Sequence, residues 1–332
     1  MPAVDSNAVP AVDWNARAEQ AHRALVEHYL RPWGLPGLGR LRSPPATHDR
    51  LSPSYWWQAQ LLDALLDARE RAPGKVIAGR IARLIAGQWL ANRGRLQNDY
   101  YDDMGWMALA LLRSGRRRAA GQLWRTIKAG WNDHHGGGIP WRVQQPHYKN
   151  LPANGPAALL AARLGDAQWA TRIVDWMESV LIDTDTGAVL DGIDRKGDGE
   201  PDRRQFSYNY GTALAAELAV GNRAVAERIA AAGIAQCAPD RILRAEGAGD
   251  GSLFKSIFAR YLVALGSEDG TAVVLATAES CWANRDGAGR FGLDPRLVPD
   301  GPVQLSAMVA GVTVVELAAS VDRSRRDRPP VR

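Results

Sequence analysis

Asp102-Asp-Met-Gly-Trp-Met-Ala-Leu-Ala-Leu-Leu-Arg-Ser-Gly115, continued by Arg116 to Trp131, carries the repeating unit of the fold. Met104, Met107, Ala108, Leu111 and Leu112 recur at the three- and four-residue spacing that gathers side chains on one helix face. Ser114-Gly115 interrupts that pattern before a second helix, which favours two antiparallel helices joined as a tight hairpin.

The same pattern repeats outward in both directions. Trp57, Leu61, Ala64, Leu65 and Ala68 form one further stripe, and Phe254, Ile257, Phe258, Tyr261, Leu262 and Leu265 another. Such stripes and their breakers predict twelve helices, at 13–31, 54–71, 75–92, 102–114, 116–131, 152–164, 166–182, 207–220, 222–237, 251–266, 269–284 and 303–321. Strand-like alternation is rare and short, so the chain reads as all-α. Tight breaks such as Ala72-Pro-Gly74, Leu164-Gly-Asp166 and Val220-Gly-Asn222 alternate with long connections at 32–53, 132–151, 183–206, 238–250 and 285–302. That alternation predicts a closed toroid of six inner and six outer helices with its long loops on one face. A solenoid is the rival, but no fixed sequence period supports it. The expected organisation is a flexible segment 1–12, a single domain over 13–321 and a basic, disordered tail at 322–332.

With 46% hydrophobic and 23% charged residues, the 332-residue chain has the composition of a soluble globular protein. The formal charge of +5 rests on arginine, since the lysines are only Lys75, Lys128, Lys149, Lys196 and Lys255. With abundant alanine, that bias reads as a high-GC bacterial genome rather than an adaptation to a polyanion. Basic residues cluster at Arg113 to Arg118 and from Arg323 onward, but no stacking aromatics interleave with them, which argues against nucleic acid as a partner. Cys237 and Cys281 are the only cysteines, too few for a disulfide framework or a four-cysteine metal site, though one bridge between them is open. Asp5 and Asp13 interrupt an N-terminus without a signal-peptide pattern, so a cytoplasmic location is expected. The apolar segment 303–321 contains Gln304, Ser306 and Glu316, which suits a buried helix better than a membrane span.

Chemistry is concentrated in the adjacent Asp102 and Asp103. At a helix start both carboxylates gain from the helix dipole, while mutual repulsion pushes one proton affinity upward. One protonated and one ionised carboxyl are what glycoside hydrolysis requires. A helix cap with an acidic first turn is the competing explanation. The chain has 12 Trp against 4 Phe, and Trp56, Trp57, Trp106, Trp131 and Trp141 fall in or beside long connections, where an indole face can stack on a sugar ring. Trp89, Trp124, Trp169 and Trp176 lie in helical stripes and read as core. The loop Trp131-Asn-Asp-His-His-Gly-Gly-Gly-Ile-Pro-Trp141 lacks the context of a phosphate cradle, and its His134-His135 pair lacks spaced partners for zinc. The segment Asp183 to Asp198 resembles a calcium loop, but Lys196 and Gln205 occupy ligand positions; Asp191 remains a candidate for a sugar hydroxyl.

Together, Tyr100-Tyr-Asp-Asp-Met-Gly-Trp106, Gly136-Gly-Gly-Ile139 with Trp141, Lys149-Asn150 and Asn154-Gly-Pro156 resemble glycoside hydrolase family 76, the endo-α-1,6-mannanases. Thr186-Gly187, Asp191-Gly192, Tyr208-Asn209 with Gly211, Asp250-Gly251 and Phe254-Lys255 extend the resemblance in order from about Tyr55 to Leu317. It implies an (α/α)6 barrel and a retaining, endo-acting hydrolase of α-1,6-mannan or mannooligosaccharides; a monomer that needs neither metal nor cofactor is expected. Asp102 would be the nucleophile and Asp103 the acid/base. Trp57, Trp106, Trp141, Lys149, Asn150, Asn154, Asp191, Tyr208, Asn209, Asp250, Phe254 and Lys255 are the candidate substrate contacts, with core packing the stronger reading for Trp57 and Phe254. Pro140, Tyr210 and Ser256 depart from the family's usual residues and leave subsite detail open, including transglycosylation in place of hydrolysis. A catalytically silent glycan-binding protein and another sugar-active enzyme on the same barrel are the alternatives.

Overall fold

A computed structural model describes residues 12–30, 37–44 and 54–326. Six helices form an inner ring: α2 (Tyr55–Arg71), α4 (Tyr101–Arg113), α6 (Leu151–Leu164), α8 (Ser207–Val220), α10 (Gly251–Leu265) and α12 (Leu305–Arg326). Each packs on the next, and α12 returns to α2 to close the ring. Outside them lie α1 (Trp14–Tyr29), α3 (Lys75–Ala91), α5 (Arg117–Ala129), α7 (Ala167–Val180), α9 (Arg223–Cys237) and α11 (Glu268–Ala283). The result is an (α/α)6 barrel, in agreement with the periodicity.

The two rings differ in how their sequences are patterned. In α5 only Ala120, Leu123, Trp124 and Ile127 are buried, a single stripe at helical spacing. In α6 every residue from Leu151 to Ala161 is buried, because an inner helix has neighbours on all sides. Small residues allow that crowding: a Cβ on Gly155 of α6 would lie 2.7 Å from the Thr212 carbonyl oxygen of α8, and one on Gly211 of α8 would lie 2.9 Å from Phe258 Cα of α10. The long α12 has the length and hydropathy of a membrane span, but most of it is buried between α1, α2, α10 and α11.

Ion pairs tie the ring together where the inner helices end. Arg260 of α10 forks onto Asp67 of α2 at 2.7 and 2.9 Å and meets Asp63 at 2.9 Å, while Arg113 of α4 binds the same two aspartates. Burial alone would raise Asp63, but Arg260 and Arg113 hold it below the usual carboxylate range. Arg71 of α2 binds Glu316 of α12 at 2.9 and 3.1 Å and Glu19 of α1 at 3.0 Å, fastening the closing helix.

Among the described residues, five two-residue strands decorate the opposite end. β1 (Arg42–Ser43) pairs with β5 (Val303–Gln304), and β2 (Lys149–Asn150), β3 (Gly192–Ile193) and β4 (Pro201–Asp202) form a small antiparallel sheet. The pairing of β5 moves the start of the last helix from the predicted 303 to Leu305. Its end is also corrected. Residues 322–326, expected in a disordered tail, continue α12, where Arg326 pairs with Asp322 and Arg323 donates to Asn15 of α1. Residues 327–332 and 1–11 lie outside the described residues. Trp124 and Trp176 are buried and Trp169 is half-buried, but Trp89 is 47% exposed, contrary to its reading as core. Cys237 and Cys281 are separate buried thiols, so no bridge joins them.

One carboxyl in the barrel wall is not compensated by an arginine. Burial first, then Glu178 and Asp175, push Glu217 up to about 7, against an amide bond from Asn222. A raised carboxyl favours folding below its unfolded value and loses that advantage as pH climbs toward 7. Glu217→Gln is therefore expected to leave stability unchanged near the unfolded carboxyl value and to raise it by up to about 3 kcal/mol above neutrality. Urea unfolding at the two pH extremes measures the difference.

Candidate active site

All six inner helices begin at the same end of the barrel, where the connections 92–100, 130–150, 181–206, 238–250 and 284–304 also gather. Their positive poles converge on a cleft of about 440 Å³. The cleft is lined by Asp102, Asp103 and Trp106 of α4, by Trp56, Tyr100, Trp141, Tyr148, Asn150, Asp191, Arg195, Arg204 and Phe206, and by Tyr208, Asp250 and Phe254. A larger groove of about 900 Å³ lies on the outer wall between α1 and α3, but its Glu19 is engaged by Arg23 and Arg71. The aspartate pair singled out by the sequence lies in the smaller cleft.

Tyr100 is the cap residue of α4 and makes no side-chain cap, so the aspartates occupy the second and third helical positions. Asp102 Oδ1 accepts the Asp103 backbone N–H at 2.9 Å, and its Oδ2 accepts the Trp141 indole N–H at 3.0 Å. Among the described residues, Asp103 Oδ2 accepts only the Asn98 amide, at 2.7 Å, while Asn98 Oδ1 accepts the Tyr100 N–H at 3.0 Å. Burial raises both carboxyls. For Asp102 the two donors oppose it, leaving the group at about 7. Asp103 is pushed well above the usual range by burial and then by the charge of Asp102. The pair thus shares its protons unequally, with the anion on Asp102 and the acid on Asp103.

A third carboxylate stands opposite. The indole N–H groups of Trp56 and Trp57 both donate to Asp250 Oδ1 at 2.7 Å, and the charge of Asp250 adds to the upward shift of both paired aspartates.

The loop that delivers Trp141 is held from below. Lys149 Nζ donates to Asn132 Oδ1 and the Gly138 carbonyl, each at 2.6 Å, and Asn154 bonds both the N–H and the carbonyl of Ile139 at 2.8 Å. Burial pushes the Lys149 amine down to about 7. The loop takes positive φ at Gly137 and Gly138, and a side chain at Gly138 would meet the Trp176 ring at 2.7 Å. That explains the glycine run flanked by tryptophans.

These contacts correct part of the predicted substrate set. Trp106, Trp141, Asn150, Asp191, Tyr208, Asp250 and Phe254 reach the cleft wall. Trp57, Lys149, Asn154, Asn209 and Lys255 do not line it and are buried behind it. Lys255 Nζ is spent on the carbonyls of Ser252 and Leu293, both at 2.9 Å, anchoring the 284–304 connection. Phe254, favoured as core, instead stacks on Tyr208 with ring centres 3.9 Å apart at the cleft wall.

Asp191 faces the cleft but is already saturated. It accepts from Tyr148 at 2.8 Å, Tyr208 and Asn209 at 2.9 Å, and Arg204 at 3.1 Å, and so organises the phenols rather than offering a free acceptor. Asn98, Tyr148, Arg195, Arg204 and Phe206 were not anticipated. Tyr148 adjoins the Lys149-Asn150 motif, which is its signal in the sequence; Arg204 lies in a polar loop with no local signal. Among the described residues, no group of three His, Cys, Asp or Glu side chains is placed to hold a metal ion.

A closed helical barrel with a buried carboxyl pair under an aromatic cleft defines the class, a glycoside hydrolase of the α/α-barrel type. The chain belongs to glycosyl hydrolase family 76, whose pattern matches residues 13–267. The Lin0763 protein of Listeria innocua is 29% identical, with a TM-score of 0.88 over 94% of this chain and 99% of that one. An inactive variant of the α-1,6-mannanase GH76A of Salegentibacter sp. HEL1_6, with α-1,6-mannotriose bound, is 30% identical, with a TM-score of 0.86 over 93% of this chain and 100% of that one. The mannan endo-1,6-α-mannosidase DCW1 of Candida glabrata is 25% identical over 196 residues, 49% of this chain. The match spans 44% of that yeast protein's length.

The donors make the proton balance adjustable. Trp141→Phe removes a bond to the Asp102 anion and is expected to move the acidic limb of the pH–rate profile upward by up to roughly one unit. Asn98→Ala removes the donor that opposes protonation of Asp103 and is expected to move the alkaline limb upward while leaving the acidic limb near its wild-type position. Profiles of kcat/KM for the two variants measure both effects.

Proposed function

We propose that this chain is an endo-acting, retaining α-1,6-mannanase in which Asp102 is the nucleophile and Asp103 the general acid and base. The observation that carries the proposal is the unequal environment of two adjacent carboxyls at the cleft floor: two donors stabilise Asp102 as an anion, and burial beside that anion keeps the proton on Asp103.

In the first step Asp103 protonates the departing glycosidic oxygen as Asp102 Oδ attacks the anomeric carbon, giving a mannosyl ester and a shortened chain. In the second, Asp103 takes a proton from water, which attacks the anomeric carbon, breaks its bond to Asp102 Oδ and releases the Asp102 carboxylate with net retention. Neighbouring positions on one helical turn favour the close carboxyl separation, ~5 Å, of double displacement over the wider spacing that an interposed water needs. Trp56, Trp106 and Trp141 give the cleft indole surfaces of the kind that stack on sugar rings.

The relatives supply the substrate. The Salegentibacter enzyme is an α-1,6-mannanase whose complexes hold α-1,6-mannotriose and α-1,6-mannotetrose, in variants made inactive by replacing two consecutive aspartates. Asp102-Asp103 is the only consecutive aspartate pair in this chain.

Asp102→Asn and Asp103→Asn are each expected to lower turnover of α-1,6-mannooligosaccharides by about a thousandfold or more. Proton NMR of the wild-type reaction should show the α anomer of the new reducing end first. Full activity in either variant contradicts the pair's assignment, and initial release of the β anomer contradicts retention.

A further inference from the structure

Eight large hydrophobic side chains are exposed among the described residues, and six of them lie at the cleft end of the barrel. Val143 is in the connection before α6, and Leu293, Leu297 and Val298 are in the connection before α12. Trp89 and Leu90, 47% and 53% exposed, are side by side in the last turn of α3, which runs outside α2 and finishes where α2 begins.

The surroundings of Trp89 and Leu90 set them apart. From Lys75 to Asn98 the chain has five cations, Lys75, Arg80, Arg83, Arg93 and Arg95, and no carboxylate. Arg83, Arg93 and Arg95 are exposed, and no described carboxylate forms an ion pair with them. Exposed arginines without an ion pair among the described residues also occur elsewhere, as at Arg117, Arg118 and Arg125, so what distinguishes this turn is the exposed indole and leucine beside them. The helix also has a buried inner stripe, Ile77, Ile81, Leu84 and Gln88, so its outward residues are not needed for packing.

An exposed tryptophan and leucine flanked by arginines that pair with no described carboxylate have the chemistry of a surface that rests in the headgroup layer of an anionic bilayer. A soluble polyanion would use the arginines but gain nothing from Leu90. We propose that the C-terminal turn of α3, through Trp89 and Leu90 with Arg83, Arg93 and Arg95, docks the protein on an anionic lipid surface. Docking there sets the cleft end beside the membrane. The inference is independent of which glycoside the cleft cleaves.

The test is co-sedimentation of the purified chain with phosphatidylcholine vesicles, with and without phosphatidylglycerol. Wild type should pellet with the anionic vesicles and remain in solution with the neutral ones. A basic side chain near such a surface contributes about fivefold in affinity, so Arg83→Gln/Arg93→Gln/Arg95→Gln together should lose about a hundredfold. Trp89→Ala/Leu90→Ser should lose about tenfold or more while retaining the wild-type circular dichroism spectrum and melting temperature. Failure of the wild type to prefer anionic vesicles overturns the proposal. So does a Trp89→Ala/Leu90→Ser variant that pellets like wild type, which would reassign the arginines to a soluble polyanion.

Discussion

Two neighbouring carboxyls buried in the first turn of α4 are the constraint around which this molecule is arranged. Removing a carboxylate from water costs several kcal/mol even after relaxation, and placing a second beside it adds repulsion. The structure answers unevenly. Asp102 receives a backbone N–H and an indole N–H, Asp103 only an amide, and the helix dipoles point their positive ends at both. Symmetric compensation would have ionised both groups and left no acid. The inequality gives the site an acid and an anion at the same time.

That inequality depends in part on residues buried behind the cleft. Trp141 reaches Asp102 because its loop is clamped by Lys149 and Asn154, and Asp250 is aimed by paired indole donors. The rest of the barrel separates stability from chemistry. Arginine–carboxylate pairs among α2, α4, α10 and α12 gather where the inner helices finish, leaving the opposite end free for loops of any shape. Removing one partner of such a buried pair leaves an uncompensated charge, so these ties enforce which helices adjoin more than they add net stability.

The fold was legible because a barrel of hairpins is written in local periodicity. A stripe at helical spacing and a glycine in the break are short-range signals, and they placed the twelve helices within a few residues except where β5 and the Arg326–Asp322 pair redrew α12. The site was legible in part. Asp102 and Asp103 stand out by adjacency, and the ordered motifs fall in the loops that line the cleft. Sequence order does not say which side of a loop a residue faces, so Lys149, Asn154 and Lys255, all in recognisable motifs, proved to be loop anchors. Arg204 and Tyr148 reach Asp191 through tertiary contacts that leave no periodic trace. Trp89 departs from expectation for the opposite reason: an indole at helical spacing is ordinarily core, but its helix turns that residue outward.

The unequal sharing of protons can be observed directly in the unliganded protein, by following the carboxyl carbons of Asp102 and Asp103 in an isotope-edited NMR titration. The account predicts that Asp102 changes state near pH 7 while Asp103 keeps the shift of a protonated acid beyond that point. Loss of both protons together in the ordinary carboxylate range would contradict it.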